Sequence, residues 1–222
     1  FFIPAEYDSW DDSSRPLLSR FYSAHFGFTV GEFCEEVKHD PNYYFHGEEI
    51  SIAARAFTHG YDMFHPNEVI IWHEYTRKGR TKQWDDDKEW HNRNTSCHLR
   101  NRKLFEMDGE KRDIDFGEFG FGKERTLQEY EKFSGICFGN RSITQDVIDK
   151  KIPKFDNIKI SDEDFQKSLS RIFKHSIDIQ YEQVPEKDHD FWCVAFRDEN
   201  DQDVYRQDAD LAEIERIKND PD

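Results

Sequence analysis

Apolar residues recur at helical spacing in the segment 48–59. Four of them fall on a single helical face: Ile50, Ala53, Ala54 and Phe57. Gly60 follows directly, and glycine is the usual residue just past a helix end because it adopts the left-handed conformation readily. The pattern predicts an amphipathic helix with one face in a core, and Glu48 and Glu49 in its first turn.

Two short apolar runs, residues 25–30 and 68–72, predict buried strands. The first is nearly continuous in apolar side chains and the second is β-branched, as in strands covered on both faces. Further helices are predicted at 31–37, 84–107 and 126–133, and the segment 116–122 reads as a glycine- and aromatic-rich loop.

The chain then changes character near residues 141–156, which predicts a linker. We therefore expect a first domain over 1–140 and a small module over 157–222. The module is β-rich, with strands near 175–181, 191–196 and 203–206 and a closing helix near 209–218. At about 65 residues it is close to the size at which a domain is only marginally stable alone.

Composition narrows the functional classes. The net charge is −16, which argues against nucleic acid or an anionic membrane as a partner, because both need a cationic surface. No apolar run reaches the roughly 20 residues that span a bilayer. The four cysteines form no Cys-x-x-Cys pair, so free thiols in a reducing, cytoplasmic compartment are expected rather than a zinc site.

Three kinds of residue suggest a sugar-nucleotide site. Glu48 and Glu49 follow Gly47, and carboxylates at a helix start can accept hydrogen bonds from sugar hydroxyls. Acidic residues in a first turn also interact favourably with the helix dipole, which requires no ligand. His73 ends an apolar run, where a neutral imidazole can bind a divalent metal, although a lone histidine is more often an ordinary surface or core residue. Arg77 lies four residues later and could meet a diphosphate, or be part of a solvated loop.

The acidic run Asp85-Asp86-Asp87 contains an Asp-x-Asp, a pattern that many glycosyltransferases use for their metal. Here a polar segment precedes it and a polar helix follows. Helix capping and dipole interactions explain it adequately.

The motifs resemble those of known families. Gly47-Glu48-Glu49, with Arg55, Phe57 and Gly60 at their offsets, is similar to the acceptor-side motif of the polypeptide N-acetylgalactosaminyltransferases. The closer resemblance is to the N-acetylglucosaminyltransferases that modify hydroxyproline on a ubiquitin-ligase subunit, together with their bacterial relatives. It covers about residues 21–135, including 23–29, 71–77 and 116–126.

That resemblance implies an α/β fold of the GT-A type, with a Rossmann-like mixed sheet and helices. It also implies transfer of N-acetylglucosamine from UDP-GlcNAc to a hydroxyl on protein or glycan, with retention of configuration and with Mn²⁺ or another divalent cation. In this interpretation Glu48 and Glu49 bind the sugar or orient the acceptor, His73 is a metal ligand and Arg77 stabilises the leaving diphosphate. Arg55 is expected to fix the helix rather than touch substrate.

No segment before Phe21 resembles the nucleotide-binding half of such a domain, so we expect a partial GT-A domain, a truncated form that is inactive alone. The alternative is a non-catalytic carbohydrate-binding or scaffold module. Exposed aromatic residues near 116–121, or Phe191 and Trp192, would then carry the binding.

Overall fold

The structure is a computed structural model that describes residues 12–73, 79, 81–170, 192–197 and 202–209. The chain divides into two compact units, Ala5–Ile172 and a smaller one that joins Phe1–Pro4 to Phe173–Asp222. Helices and small antiparallel sheets alternate, which agrees with the α/β class in its coarse sense. The described residues contain two-stranded sheets but no mixed sheet, so the GT-A assignment stays a prediction.

Helix α2, Glu48–Thr58, is the centre of the larger unit. Residues Ser51–Thr58 are all buried, so the helix is covered around its circumference rather than on the single face that its apolar spacing predicts. One side packs into the main core, which draws on five segments of the chain: Ala53, Ala54, Phe57, Leu104, Phe105, Phe116, Tyr130, Phe133, Ile136 and Phe138. The other side meets a smaller cluster formed by Val37, Ile52 and Ala56.

The helices around α2 agree with the sequence predictions. Helix α1 is Gly31–Glu36, a short α3 is Gln83–Asp86, α4 is Trp90–Phe105 and α5 is Leu127–Ser134. The predicted helix over 84–107 is thus broken in two. Gly60 has a φ of 96°, as expected for the glycine that follows a helix end. No helix in the described ranges is long and apolar enough to cross a membrane.

The strands differ from the prediction. Within the larger unit they are two-residue antiparallel pairs: β1 (Leu17–Leu18) with β2 (Phe64–His65), and β3 (Ile136–Cys137) with β4 (Ser142–Ile143).

The two predicted buried strands, 25–30 and 68–72, are wrong. Neither forms a strand, and their side chains are exposed: Phe28 is 92% and Trp72 84% accessible. A run with apolar side chains on both faces forms a central strand only in a sheet whose two faces are covered by other elements. No described residues supply that sheet.

The segment predicted as a linker, 141–156, is folded. It holds β4, helix α6 (Gln145–Ile148) and the start of a 3₁₀ helix, Phe155–Lys159, and Pro153 is fully buried. Phe155 stacks on Phe133 of α5, with ring centroids 5.1 Å apart. Helix α7, Asp162–Ser168, follows. These elements belong to the same compact unit as the residues before 140, and that unit ends at Ile172.

In the smaller unit a hairpin pairs β5, Trp192–Arg197, with β6, Asp203–Ala209, in antiparallel register. Both strands fall where the sequence predicts them. The predicted strand at 175–181 and nearly all of the predicted closing helix lie outside the described residues.

Candidate active site

The start of helix α2 is held in a specific backbone conformation. Gly47 has a φ of 95°, and a Cβ placed there would lie 2.3 Å from Asn101 Nδ2, so only glycine fits. The Gly47 carbonyl accepts hydrogen bonds from Asn101 Nδ2 at 3.1 Å and from the amide of Ser51 at 3.2 Å. Tyr43 donates its hydroxyl to Asn101 Oδ1 at 2.6 Å. These contacts fix the peptide directly before Glu48.

Glu48 is a half-buried carboxylate with an unsatisfied oxygen. Its Oε2 is buried and has no hydrogen-bond partner in the described part of the chain. Burial raises the pKa of Glu48 above its usual value, and the neighbouring charge of Glu49 raises it further. An acceptor of this kind at a helix start is suited to binding a hydroxyl, since a buried unsatisfied oxygen costs about 1–3 kcal/mol until a donor reaches it.

Glu49 has a structural contact that Glu48 lacks. Its Oε1 accepts a hydrogen bond from the backbone amide of Ala24 at 2.7 Å. The contact ties the segment 23–30 to the first turn of α2. Of the two predicted carboxylates, Glu48 is therefore the one left available to a ligand.

His73 is exposed and lies near the same place. Its ring packs edge-on against that of His25, with centroids 4.6 Å apart and planes at 88°. Ala24, beside His25, binds Glu49, so the segment 23–25 connects Glu49 with His73. The rigid strand expected to present His73 is absent, and Arg77 lies outside the described residues.

Described residues do not make up a complete metal site. They include no group of three or more histidine, cysteine, aspartate or glutamate side chains placed to hold an ion. His73 remains a predicted single ligand. The acidic run 85–87 acts as expected for helix capping, since Asp85 accepts from the amide of Lys82 at 2.9 Å and Asp87 from that of Glu89 at 3.0 Å.

Arg55, about two turns after Glu48 in α2, is fully buried and has a structural role. It donates to three backbone carbonyls: Lys38 at 2.8 Å, Glu118 at 3.2 Å and Gly120 at 3.3 Å. Arg55 thus fixes the helix, and it does so by binding two loops. One of them is the 116–122 loop, which holds a 3₁₀ turn over Gly117–Phe119.

That loop does not offer an aromatic binding surface. Phe116 is buried, and Phe119 and Phe121 are half-buried. The aromatic residues that the alternative of a carbohydrate-binding face expects to be exposed around 116–121 are thus buried or only partly accessible. The side chains of Phe191 and Trp192 lie outside the described part.

Helix α4 contributes polar residues that sequence reasoning did not single out. Asn94 Nδ2 donates to His98 Nε2 at 3.1 Å, and the His98 ring stacks on His46 with centroids 6.0 Å apart. Arg102 follows one turn later. The three polar residues are spaced four apart, which places them on one face of the helix. The opposite side of the helix is also polar, so this spacing did not distinguish them as candidate site residues.

Glu48, a half-buried carboxylate with an unpaired oxygen, thus directly follows the segment that helix α4 contacts through Asn101 and His98. Comparison with protein families gives the class: the glycosyltransferase model described as "Glycosyltransferase (GlcNAc)" matches residues 4–140. Because the match covers more than half of the chain, the protein belongs to this GlcNAc glycosyltransferase family. Comparison with curated proteins and with solved structures finds no match.

Proposed function

We propose that this protein transfers N-acetylglucosamine from UDP-GlcNAc to a hydroxyl group, with the buried, unpaired Oε2 of Glu48 in the sugar site. Family membership supports a sugar donor and an acceptor in general terms. The specific donor, a GT-A-type fold and an acceptor on protein hydroxyproline or glycan belong to the proposal.

In the proposed reaction the bond between the sugar C1 and the diphosphate oxygen breaks, and a bond from the acceptor oxygen to C1 forms on the same face of the sugar. The acceptor proton passes to the leaving diphosphate. Glu48 accepts a hydrogen bond from a sugar hydroxyl. Its negative charge also favours the positive charge that develops at the sugar ring, which is an electrostatic contribution to the transition state.

Glu49 has a positioning role in this proposal, because it holds the 23–30 segment at the site through Ala24. A divalent cation such as Mn²⁺ would neutralise charge on the diphosphate when bound. His73 is the described candidate for one of its ligands, and Arg77 is proposed to face the diphosphate. A reducing compartment such as the cytoplasm also belongs to the proposal.

The test is turnover of UDP-GlcNAc by the full-length protein, as the wild type and as Glu48→Gln. We expect a loss of about 10²-fold, the size typical of removing one charged transition-state contact. Glu49→Gln is the matched control: glutamine keeps an acceptor for the Ala24 amide, so its loss should be far smaller. Chelation with EDTA in the same assay tests the metal.

A loss below about twofold in Glu48→Gln would contradict the assignment and return Glu48 to a helix-dipole role. Circular dichroism of each variant separates a lost site from a lost fold. Equal losses in the two variants would instead show that the helix start as a whole, rather than Glu48, is needed.

A further inference from the structure

One face of α4 lies against the residues that precede Glu48. Asn101 bonds to the Gly47 carbonyl and His98 stacks on His46, so both side chains contact the 43–47 segment. Asn94, His98 and Arg102 are spaced four residues apart. Side chains at that spacing are neighbours on a helix, with Cβ atoms about 5–6 Å apart. The three form a polar stripe that leads to the start of α2.

Helix α4 and the start of α2 both carry unsatisfied polar atoms. In the part of the chain that the structure describes, three of their buried side-chain atoms lack a hydrogen-bond partner: Glu48 Oε2, Asn94 Oδ1 and Arg102 Nε. The Asn94 amide nitrogen can only donate, so it donates to His98 Nε2, and its oxygen remains unused. Each such atom lowers the stability of the fold unless a ligand or water pairs with it.

Arg102 is unusual in a chain this acidic. With 47 Asp and Glu against 31 Lys and Arg, most half-buried guanidinium groups could find a carboxylate. Arg100, two residues earlier, binds Asp40 at 2.5 Å. Arg102 makes no ion pair with any described side chain, which leaves its donors free for another molecule.

The mixture of donors and acceptors selects the ligand chemistry. A phosphate only accepts hydrogen bonds, and the carboxylate of Glu48 and the carbonyl of Asn94 would repel it. A sugar hydroxyl both donates and accepts, so the hydroxyls of a sugar can pair with carboxylate, amide and guanidinium atoms alike.

We propose that Asn94, His98 and Arg102 of helix α4 form, with Glu48, a binding site for the hydroxyl groups of a sugar. The inference rests on the proposed function for the role of Glu48 and adds a second wall to that site. Two sources supply this chemistry, the sugar of the nucleotide donor and a sugar on the acceptor.

The experiment compares the wild-type chain with Arg102→Gln and Asn94→Ala. Calorimetry measures the binding of UDP-GlcNAc and UDP, and saturation-transfer NMR measures the binding of free N-acetylglucosamine. Arg93→Gln is the matched control. It makes the same charge change on the same helix, but nine residues away, about 2.5 turns, where Arg93 pairs with Asp87 and lies over the Tyr44 ring instead of beside Arg102. Its side chain is 60% exposed.

For a donor-sugar site, Arg102→Gln should weaken UDP-GlcNAc binding by about tenfold or more while UDP binding is unchanged, since one lost charged hydrogen bond is worth about 1.5–3 kcal/mol. For an acceptor-sugar site, UDP-GlcNAc affinity should stay the same while the free sugar signal falls in both variants. Either result supports sugar binding by the polar stripe, and the difference between them shows whether the sugar belongs to the donor or to the acceptor.

Equal weakening of UDP and UDP-GlcNAc would overturn the inference, because it would make Arg102 a phosphate ligand. Wild-type affinity of both variants for all three probes would overturn it as well. These failures are separate from failure of the proposed function. Sugar binding that needs Arg102 without any UDP-GlcNAc turnover would refute only the latter, and turnover with unaffected variants would refute only the former.

Discussion

At the scale of single residues, helix α2 carries two charged side chains that are removed from solvent to different degrees and differ in whether the fold supplies their hydrogen-bond partners. Arg55 is fully buried and has three carbonyl partners, so its donors are used within the fold. Glu48 is half-buried and one of its oxygens has no partner in the described chain. A buried charge with partners stabilises a structure, whereas one without a partner is maintained at a cost in stability and points to a ligand.

Arg55→Met is expected to lower the free energy of unfolding by more than about 3 kcal/mol. Methionine has a similar length but removes every donor, and hydrogen bonds from charged groups contribute about 1.5–3 kcal/mol each. Urea unfolding measures the change. Arg93→Met, which removes an exposed arginine, should cost less than about 0.5 kcal/mol. Equal costs for the two variants would show that the Arg55 contacts do not hold α2 in place.

At the scale of elements, local sequence signals explain helix α5 fully. Thr126 Oγ accepts from the amide of Glu129 at 3.1 Å, and Glu129 Oε2 accepts from the amide of Thr126 at 2.7 Å, which is a reciprocal capping box. Gly135 ends the helix with a φ of 74°. All of these residues lie within ten positions of each other, so the signal needs no distant partner.

Thr126→Ala should cost about 1 kcal/mol at pH 7, while Thr126→Ser, which keeps the hydroxyl, should cost little. The hydrogen bonds from the amide and then the hydroxyl of Thr126 lower the pKa of Glu129 below its usual 4.5. A carboxyl whose pKa is lowered by folding stabilises the protein above its unfolded pKa and loses that contribution as the pH falls through the folded value.

The difference between wild type and Thr126→Ala should therefore shrink as the pH falls below 4.5 towards the lowered pKa of Glu129. Thermal unfolding from pH 7 to pH 3 tests this. A difference that stays constant over that range would contradict the reciprocal role of Glu129.

At the scale of the whole molecule, the larger unit buries aromatic residues densely around α2 and exposes others of the same type. Phe57 stacks on Phe133 at 5.0 Å and is 1% accessible. Phe28 and Trp72 belong to two apolar segments that His25 and His73 bring into contact, and both remain largely exposed. Apolar content alone does not decide which side chains enter the core.

Phe57→Ala is expected to cost about 3–5 kcal/mol, because it removes a buried ring and leaves a cavity. Phe28→Ala, the same substitution at an exposed position, should cost less than about 0.5 kcal/mol. Chemical unfolding of both variants makes the comparison. A large cost for Phe28→Ala would show that the 25–30 run is packed in solution, as its sequence pattern predicts and the structure contradicts.

The sequence by itself determined the features whose causes are local. Helical spacing and Gly60 predict α2, Thr126 predicts the start of α5, and the hairpin strands β5 and β6 lie where their patterns place them. The motif residues were also sufficient for the resemblance that the family comparison confirms at the level of GlcNAc glycosyltransferases.

Tertiary structure alone decided which residues the site contains. Glu48 and Glu49 are adjacent and chemically alike, yet only Glu49 meets the Ala24 amide, 25 positions away. Asn94 and Arg102 enter the proposed site because α4 packs beside Gly47 through Asn101, 54 positions distant. Such pairings depend on how distant segments meet, and periodicity along the chain carries no record of that. For the same reason the apolar runs 25–30 and 68–72 predicted buried strands that the fold leaves exposed.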